Sequence, residues 1–230
     1  MTEKSVRFTT EEIRAILDNR KTMFRQTVAP HIVDRFVLDA NGKLLGSYRV
    51  SLGDVYPTVD DAPYEVGDLL WCRETWCQLD MDYRAVTGKF SFDDFKGCPI
   101  VYKADGERKD FKYWRPSTNM PREAARIFLR ITDVRPERLW DITESDAYKE
   151  GVYTSQLIDN PKKSSKWCRH SVMVADLRGE KRPVAATYTG AYAMHWDSRY
   201  AKRGHPFSQN DWVWVYEFER VMNYVNAATT

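Results

Sequence analysis

Trp212-Val213-Trp214-Val215-Tyr216-Glu217-Phe218 has the period of a β-strand. Trp212, Trp214, Tyr216 and Phe218 fall on one face, and Val213, Val215, Glu217 and Glu219 on the other, because side chains of an extended chain alternate. The same period runs through Ala125 to Val134, where Ile127, Leu129 and Ile131 alternate with Phe128, Arg130 and Thr132. Leu69 to Trp76, Pro99 to Lys103 and Ser5 to Phe8 read as further strands. Asn41-Gly42 is a hairpin signal between Phe36-Val37-Leu38 and Leu44 to Tyr48, inside an otherwise irregular stretch from 29 to 63. Residues 80 to 98 and 104 to 121 read as loops.

Helical periods separate these strands. Thr9 with Glu12 forms a capping box, Ile13, Ile16 and Leu17 mark one face, and Asn19 is a natural left-handed stop. Arg20-Lys21-Thr22-Met23-Phe24-Arg25 then reads as an exposed basic turn. Thr143 with Asp146 is a second capping box, closed by Gly151 after Glu150. Tyr188 to Tyr200 reads as an aromatic-rich helix with Tyr192 and Trp196 one turn apart. Short mixed strands with two or three helices predict an α+β fold, or a small barrel with helices at its rim.

The chain has 230 residues, 43% of them hydrophobic and 30% charged, so a core is affordable and disorder is excluded as the general state. The expectation is one domain over residues 1–230 with a basic insertion at about 152–190. That insertion carries Lys162, Lys163, Lys166, Arg169, Arg178, Lys181 and Arg182 against Asp159, Asp176 and Glu180. It reads either as a phosphate-tracking segment or as a solvated loop. The formal charge of the whole chain is +2, so any nucleic-acid site has to be a local patch. No apolar run reaches transmembrane length, and no signal-peptide segment opens the chain, which predicts a cytoplasmic protein with no membrane partner. Cys72, Cys77, Cys98 and Cys168 lack zinc spacing, and His31, His170, His195 and His205 lack metal or triad spacing. No Gly-rich phosphate cradle is present, so ATP or dinucleotide chemistry is not expected, and neither a metal nor a cofactor is predicted.

Several segments, in order, resemble the ASCH proteins carried by phages and prophages. They are Ala15 to Thr22, Tyr64-Glu65-Val66-Gly67-Asp68-Leu69-Leu70-Trp71-Cys72-Arg73-Glu74-Thr75-Trp76, Trp114 to Pro121, Arg126 to Asp133, Leu139 to Gly151 and Asn210 to Val215. The resemblance covers residues 10 to 221 in patches and is thin over 152–190. It implies a PUA-like fold, a small twisted β-barrel with flanking helices and a long insertion, and RNA or modified-nucleotide binding in the cytoplasm of a host cell. One bacterial branch of the family removes the acetyl group of N4-acetylcytidine with a Lys, a Thr three residues later and a Glu from the second helix. Lys21 matches that Lys and Glu150 that Glu. The Thr position falls on Phe24, which cannot be a nucleophile. Gln26 stands where that branch carries Arg, and Asn19 where it carries Gly.

The candidate ligand-binding residues are therefore Lys21, Thr22, Arg25, Arg73, Trp114, Ser117 and Glu150, with Lys21 and Glu150 as the catalytic pair if the protein is an enzyme. A Lys and a Glu in one dry cleft can exchange a proton or hold a base edge; equally, they can be a salt bridge tying two helices. Arg73 and Glu74 put one charge on each face of an apolar strand, and a buried charge needs a partner. Trp114 and Ser117 read as a stacking surface and a hydrogen-bond donor, or as a loop pinned by Trp114. Three functions remain open: an RNA- or nucleotide-binding module, a hydrolase of an acylated nucleoside in which water or Thr22 replaces the missing Thr, and a phage accessory protein that binds a host protein through Tyr188 to Tyr200. The sequence does not fix an oligomeric state.

Overall fold

The computed structural model describes residues 2–48, 55–56, 58–78, 100–106, 114–152, 171–175, 181–185 and 187–221. Lys162, Lys163, Lys166, Arg169 and Arg178 of the basic insertion lie outside these residues, as do Cys98, Cys168 and His170. In chain order the elements are β1 (Glu3–Arg7), α1 (Thr10–Leu17), β2 (Met23–Thr27), α2 (Pro30–Val33), β3 (Phe36–Leu38), β4 (Leu44–Tyr48), β5 (Val55–Tyr56), β6 (Leu69–Arg73), β7 (Trp76–Gln78), β8 (Ile100–Tyr102), β9 (Phe128–Arg138), α3 (Glu144–Lys149), β10 (Ser171–Ala175), β11 (Lys181–Ala185), α4 (Tyr188–Tyr200) and β12 (Trp212–Arg220). The mixed α+β class follows directly. The chain forms two compact units, the first from Met1–Asn19, Val66–Thr132 and Phe218–Thr230, the second from Arg20–Glu65 and Asp133–Glu217.

In the first unit the strand order is β1-β6-β9-β12. β1 lies parallel to β6 with Glu3 opposite Leu69 and Arg7 opposite Arg73, and β6 is antiparallel to β9. Helix α1 begins where the capping box is expected: the Thr9 hydroxyl accepts from the Glu12 amide while the Glu12 carboxylate accepts from the Thr9 amide. It buries Ile13 and Ile16 and is followed by Asn19 at φ 56°, a conformation asparagine tolerates. The single strand expected from Leu69 to Trp76 is instead two, broken at Glu74-Thr75. Trp76 leaves the line of β6 to pair with Tyr102 of β8 and to bridge Arg115. Leu69, Trp76, Met120, Ala124, Ala125 and Phe128 form one apolar cluster in the core of this unit.

In the second unit the order is β9-β12-β2, with β2 antiparallel to β12 and Val215 opposite Arg25. The Asn41-Gly42 signal is met by the β3–β4 hairpin, where Gly42 sits at φ 80°. Met23, Val213 and Val215 share one face of the β2–β12 pair, on which α3 and α4 place Ala147, Tyr192 and Trp196. Phe24 and Tyr216 occupy the opposite face and stack at 4.8 Å between ring centroids. Arg20 to Arg25 is therefore not an exposed turn: from Met23 on it is strand, and Lys21, Met23, Phe24 and Arg25 are buried. Basic residues can enter the interior here because carboxylates meet them there. The strand expected over Ala125 to Val134 runs instead from Phe128 to Arg138. Among the described residues neither run of strands closes on itself. No described helix is long and apolar enough to cross a membrane.

Helix α4 matches the expectation residue for residue, and its burial has a clear energetic reading. Tyr192 and Trp196 are 2% and 1% exposed, and the Trp196 indole N–H donates to the His205 carbonyl at 2.9 Å. Their burial counts against Tyr188 to Tyr200 as an exposed docking patch. Trp196→Ala leaves a cavity beside Met23 and Val213; it is expected to cost about 3–5 kcal/mol in denaturant unfolding, and a cost near zero would show that this cluster is not the unit's core.

Candidate functional site

The second unit gathers Lys21, Arg25 and Glu150 from segments 125 or more residues apart in sequence. The local backbone explains how. Lys21 and Glu150 form an antiparallel bridge, and the Thr22 amide donates to the Lys149 carbonyl at 2.8 Å. The entry to β2 is thus stitched to the last residues of α3. That helix ends because Gly151 adopts φ 79°, one of the positions where glycine's freedom is used. The Glu150 carboxylate is consequently delivered beside Lys21 rather than out to water.

Both carboxylate oxygens of Glu150 are engaged. Lys21 Nζ donates to Oε2 at 2.9 Å and to the Glu150 carbonyl at 3.0 Å, while Arg25 Nη1 donates to Oε1 at 3.0 Å. Exposure of these side chains is 1% for Lys21, 0% for Arg25 and 3% for Glu150. Arg25 continues outward, donating to Glu137 at 3.3 Å and lying 3.5 Å from Asp146, and its guanidinium sits 5.8 Å from the Tyr192 ring centroid. Burial by itself lowers the Arg25 pKa, but the negative charges facing it, Glu150 first, leave it above its ordinary value. The Tyr192 phenol is held well above its ordinary range, first by burial and then by Glu150. Glu137 passes the network on to Arg135, which also pairs with Asp133 and Glu217. Two cations and one carboxylate at the centre, ringed by further acids, form a buried charge network in which each charge faces an opposite one, while Arg25 Nε has no hydrogen-bond partner among the described residues.

The other predicted residues lie in the first unit. Arg73 ends β6, and its guanidinium carbon stands 4.8 Å from the Trp71 ring centroid. Trp114 is half-buried next to Arg115, which bridges Trp76, and Ser117 opens a short 3-10 turn over Ser117–Asn119. The signal missed in the sequence is Arg126. It grips the buried Glu74 carboxylate with two hydrogen bonds, 2.9 and 3.0 Å, and reaches Asp105 with a third. Its guanidinium carbon lies 3.8 Å from the Tyr102 ring centroid. Burial raises the Glu74 carboxyl above its ordinary value while Arg126 pulls it down, and burial pushes the Tyr102 phenol up to about 12. Arg126 follows Ala125 in a stretch that reads as strand, so alternation alone gives no hint that it partners Glu74. Cys72 and Cys77 are buried free thiols. No group of three or more His, Cys, Asp or Glu able to hold a metal occurs among the described residues.

No protein-family model matches the chain, and no curated protein does. The chain is similar to the crystal structure of an ASCH domain from Lactobacillus crispatus JV V101, at 12% identity, over 95% of this chain and 79% of that one, with a TM-score of 0.35.

Removing one partner of a buried pair strands the other charge in a dry interior. Glu150→Gln is expected to lower unfolding stability by about 3–5 kcal/mol, whereas Glu137→Gln, at a more exposed position, should cost about 1 kcal/mol or less. Equal costs measured by chemical denaturation would contradict the ranking of the two carboxylates.

Proposed function

We propose that the chain is an ASCH-type, PUA-like module that binds RNA or a nucleotide and does not hydrolyse it, and that it is of phage or prophage type. The observation that carries the choice between binding and hydrolysis is the state of Glu150. Each of its two oxygens accepts from a buried cation, Lys21 or Arg25, and its side chain is only 3% exposed, so little of the carboxylate faces solvent, where a water would have to be activated. Phe24 supports the same reading. It fills the position of the family's Thr, and it points away from Arg25 into an aromatic stack with Tyr216 and Tyr64. A hydroxyl placed there would meet ring carbons rather than the charged centre.

Binding without turnover leaves the cationic residues as the working surface. The basic insertion contributes seven cations against three acids, a local excess of four within a chain whose net charge is +2. The resemblance in the ordered motifs from Ala15 to Val215 is the second support, and a small twisted β-barrel over one domain of residues 1–230 belongs to the same proposal. Lys21, Arg25 and Glu150 then act as the rigid base of the module, and Arg73, Trp114 and Ser117 are proposed as ligand-facing groups. A host-protein partner finds less support, since the aromatic helix it needs is turned inward.

Binding to mixed cellular RNA across a salt series, alongside turnover of N4-acetylcytidine, separates the readings. Five to seven neutralised phosphates on a single strand give a slope of log K against log salt of roughly −3 to −5, with no release of acetate. Acetate release that Glu150→Gln abolishes, in a variant still folded by circular dichroism, would replace this reading with the hydrolase.

A further inference from the structure

We infer that Arg7 and Arg73, side by side on β1 and β6, form a binding site for a phosphate group, with the Trp71 ring as its floor. The inference deepens the nucleotide-binding reading above and rests on it for the source of the phosphate. Register places the two arginines. β1 and β6 run parallel with Ser5 opposite Trp71 and Arg7 opposite Arg73, and in adjacent strands register partners project from the same face. Trp71 and Arg73, two residues apart on one strand, share that face as well. The Arg73 guanidinium lies over the Trp71 indole, 4.8 Å from carbon to centroid.

Two like charges directly across a strand pair repel. A sheet that keeps them there normally supplies a carboxylate between them, and this one does not. The acids of the same strand pair and its flanks are already committed. Glu3 pairs with Arg122, Asp68 accepts from Lys4 at 2.8 Å and from Thr2, and Glu74 is gripped by Arg126. Among the described residues neither Arg7 nor Arg73 has a carboxylate within ion-pair distance, and Arg73 Nε is buried with no hydrogen-bond partner. A buried donor left open costs free energy that a bound acceptor would recover. Arg7 is exposed and Arg73 half-buried, so the pair is reachable from water on one side and anchored on an aromatic ring on the other.

The chemistry of the pair selects the ligand. Guanidinium groups present rigid forks of N–H donors that match the oxygens of a phosphate in two-point contact. The opposite face of these strands offers nothing similar, since Val6, Leu70 and Cys72 point into the apolar interior. The phosphate can belong to a free nucleotide or to an RNA backbone; both present the same oxygens.

The test uses the full chain with nitrogen-labelled arginines. Inorganic phosphate, uridine monophosphate and an oligouridylate are titrated separately while the Arg73 Nε–Hε resonance is followed by NMR. A saturable shift of that resonance with inorganic phosphate, weakened in Arg7→Gln, is the result expected. Tighter saturation by the monophosphate than by phosphate identifies a nucleotide, and tighter saturation by the oligouridylate identifies a backbone contact. In the latter case the slope of log K against log salt falls in magnitude by roughly 0.7 for each of Arg7→Gln and Arg73→Gln, while Arg73→Lys keeps the slope and loses affinity. Arg7 is exposed, so Arg7→Gln reports on the site without endangering the fold. An Arg73 resonance unmoved by all three probes, or an Arg7→Gln/Arg73→Gln double variant with unchanged affinity and slope, overturns the inference. A shift with inorganic phosphate in a protein that binds no RNA and no nucleotide leaves this site standing and removes the functional reading above.

Discussion

The Glu150 carboxylate, shared between Lys21 and Arg25 in a dry interior, is the constraint on which the second unit depends. Three charges with almost no water contact are tolerated because each is answered at 2.9–3.0 Å. The same contacts fix the backbone. Lys21 bridges Glu150, Thr22 bonds to the Lys149 carbonyl, and β2 is thereby set in register with Val215 and Tyr216 of β12. Once that register is set, Met23 faces the apolar cluster with Tyr192 and Trp196, and Phe24 faces the aromatic stack on the other side. A one-residue slip would put Phe24 against the acids and Arg25 against tyrosine rings, so the charge network and the apolar packing specify the same pairing.

The first unit handles charge differently. Glu74 and Arg126 form a two-point pair at the break between β6 and β7, with Tyr102 stacked beneath the guanidinium. The pair satisfies the one carboxylate that the strand would otherwise bury alone. Arg73, the adjacent residue, receives no such partner, and an aromatic ring takes the place of an acid beneath it. Adjacent residues at the end of β6 thus differ: Glu74 is paired in the interior, and Arg73 lies over an aromatic ring with no acid beside it among the described residues.

Much of the fold was legible because its signals are local. The two capping boxes, the left-handed Asn19, the Asn41-Gly42 hairpin and the span of α4 all depend on residues within a few positions of one another. The site was legible in part. Lys21 and Glu150 were picked out by resemblance, and Arg25 by its place beside them, and the structure brings the three together. Arg20 to Arg25 reads as an exposed turn in the sequence because a run of basic residues is ordinarily solvated, and nothing near it announces acids 112 to 129 positions away. Arg126 escaped for the same reason, since Glu74 lies 52 residues before it. The break at Glu74-Thr75 could not be read from alternation, which continues unchanged across it. Non-local charge pairing is the information a single sequence carries least visibly.

If the buried carboxylate organises the second unit, Lys21 and Glu150 act as one unit. A double-mutant cycle with Lys21→Met, Glu150→Gln and the two combined, read by urea unfolding, measures this directly. A coupling of roughly 1–3 kcal/mol is expected, with the double variant less damaged than the sum of the singles. Additivity within about 0.5 kcal/mol would mean that the two charges do not depend on each other, and would contradict the claim that this buried carboxylate organises the unit.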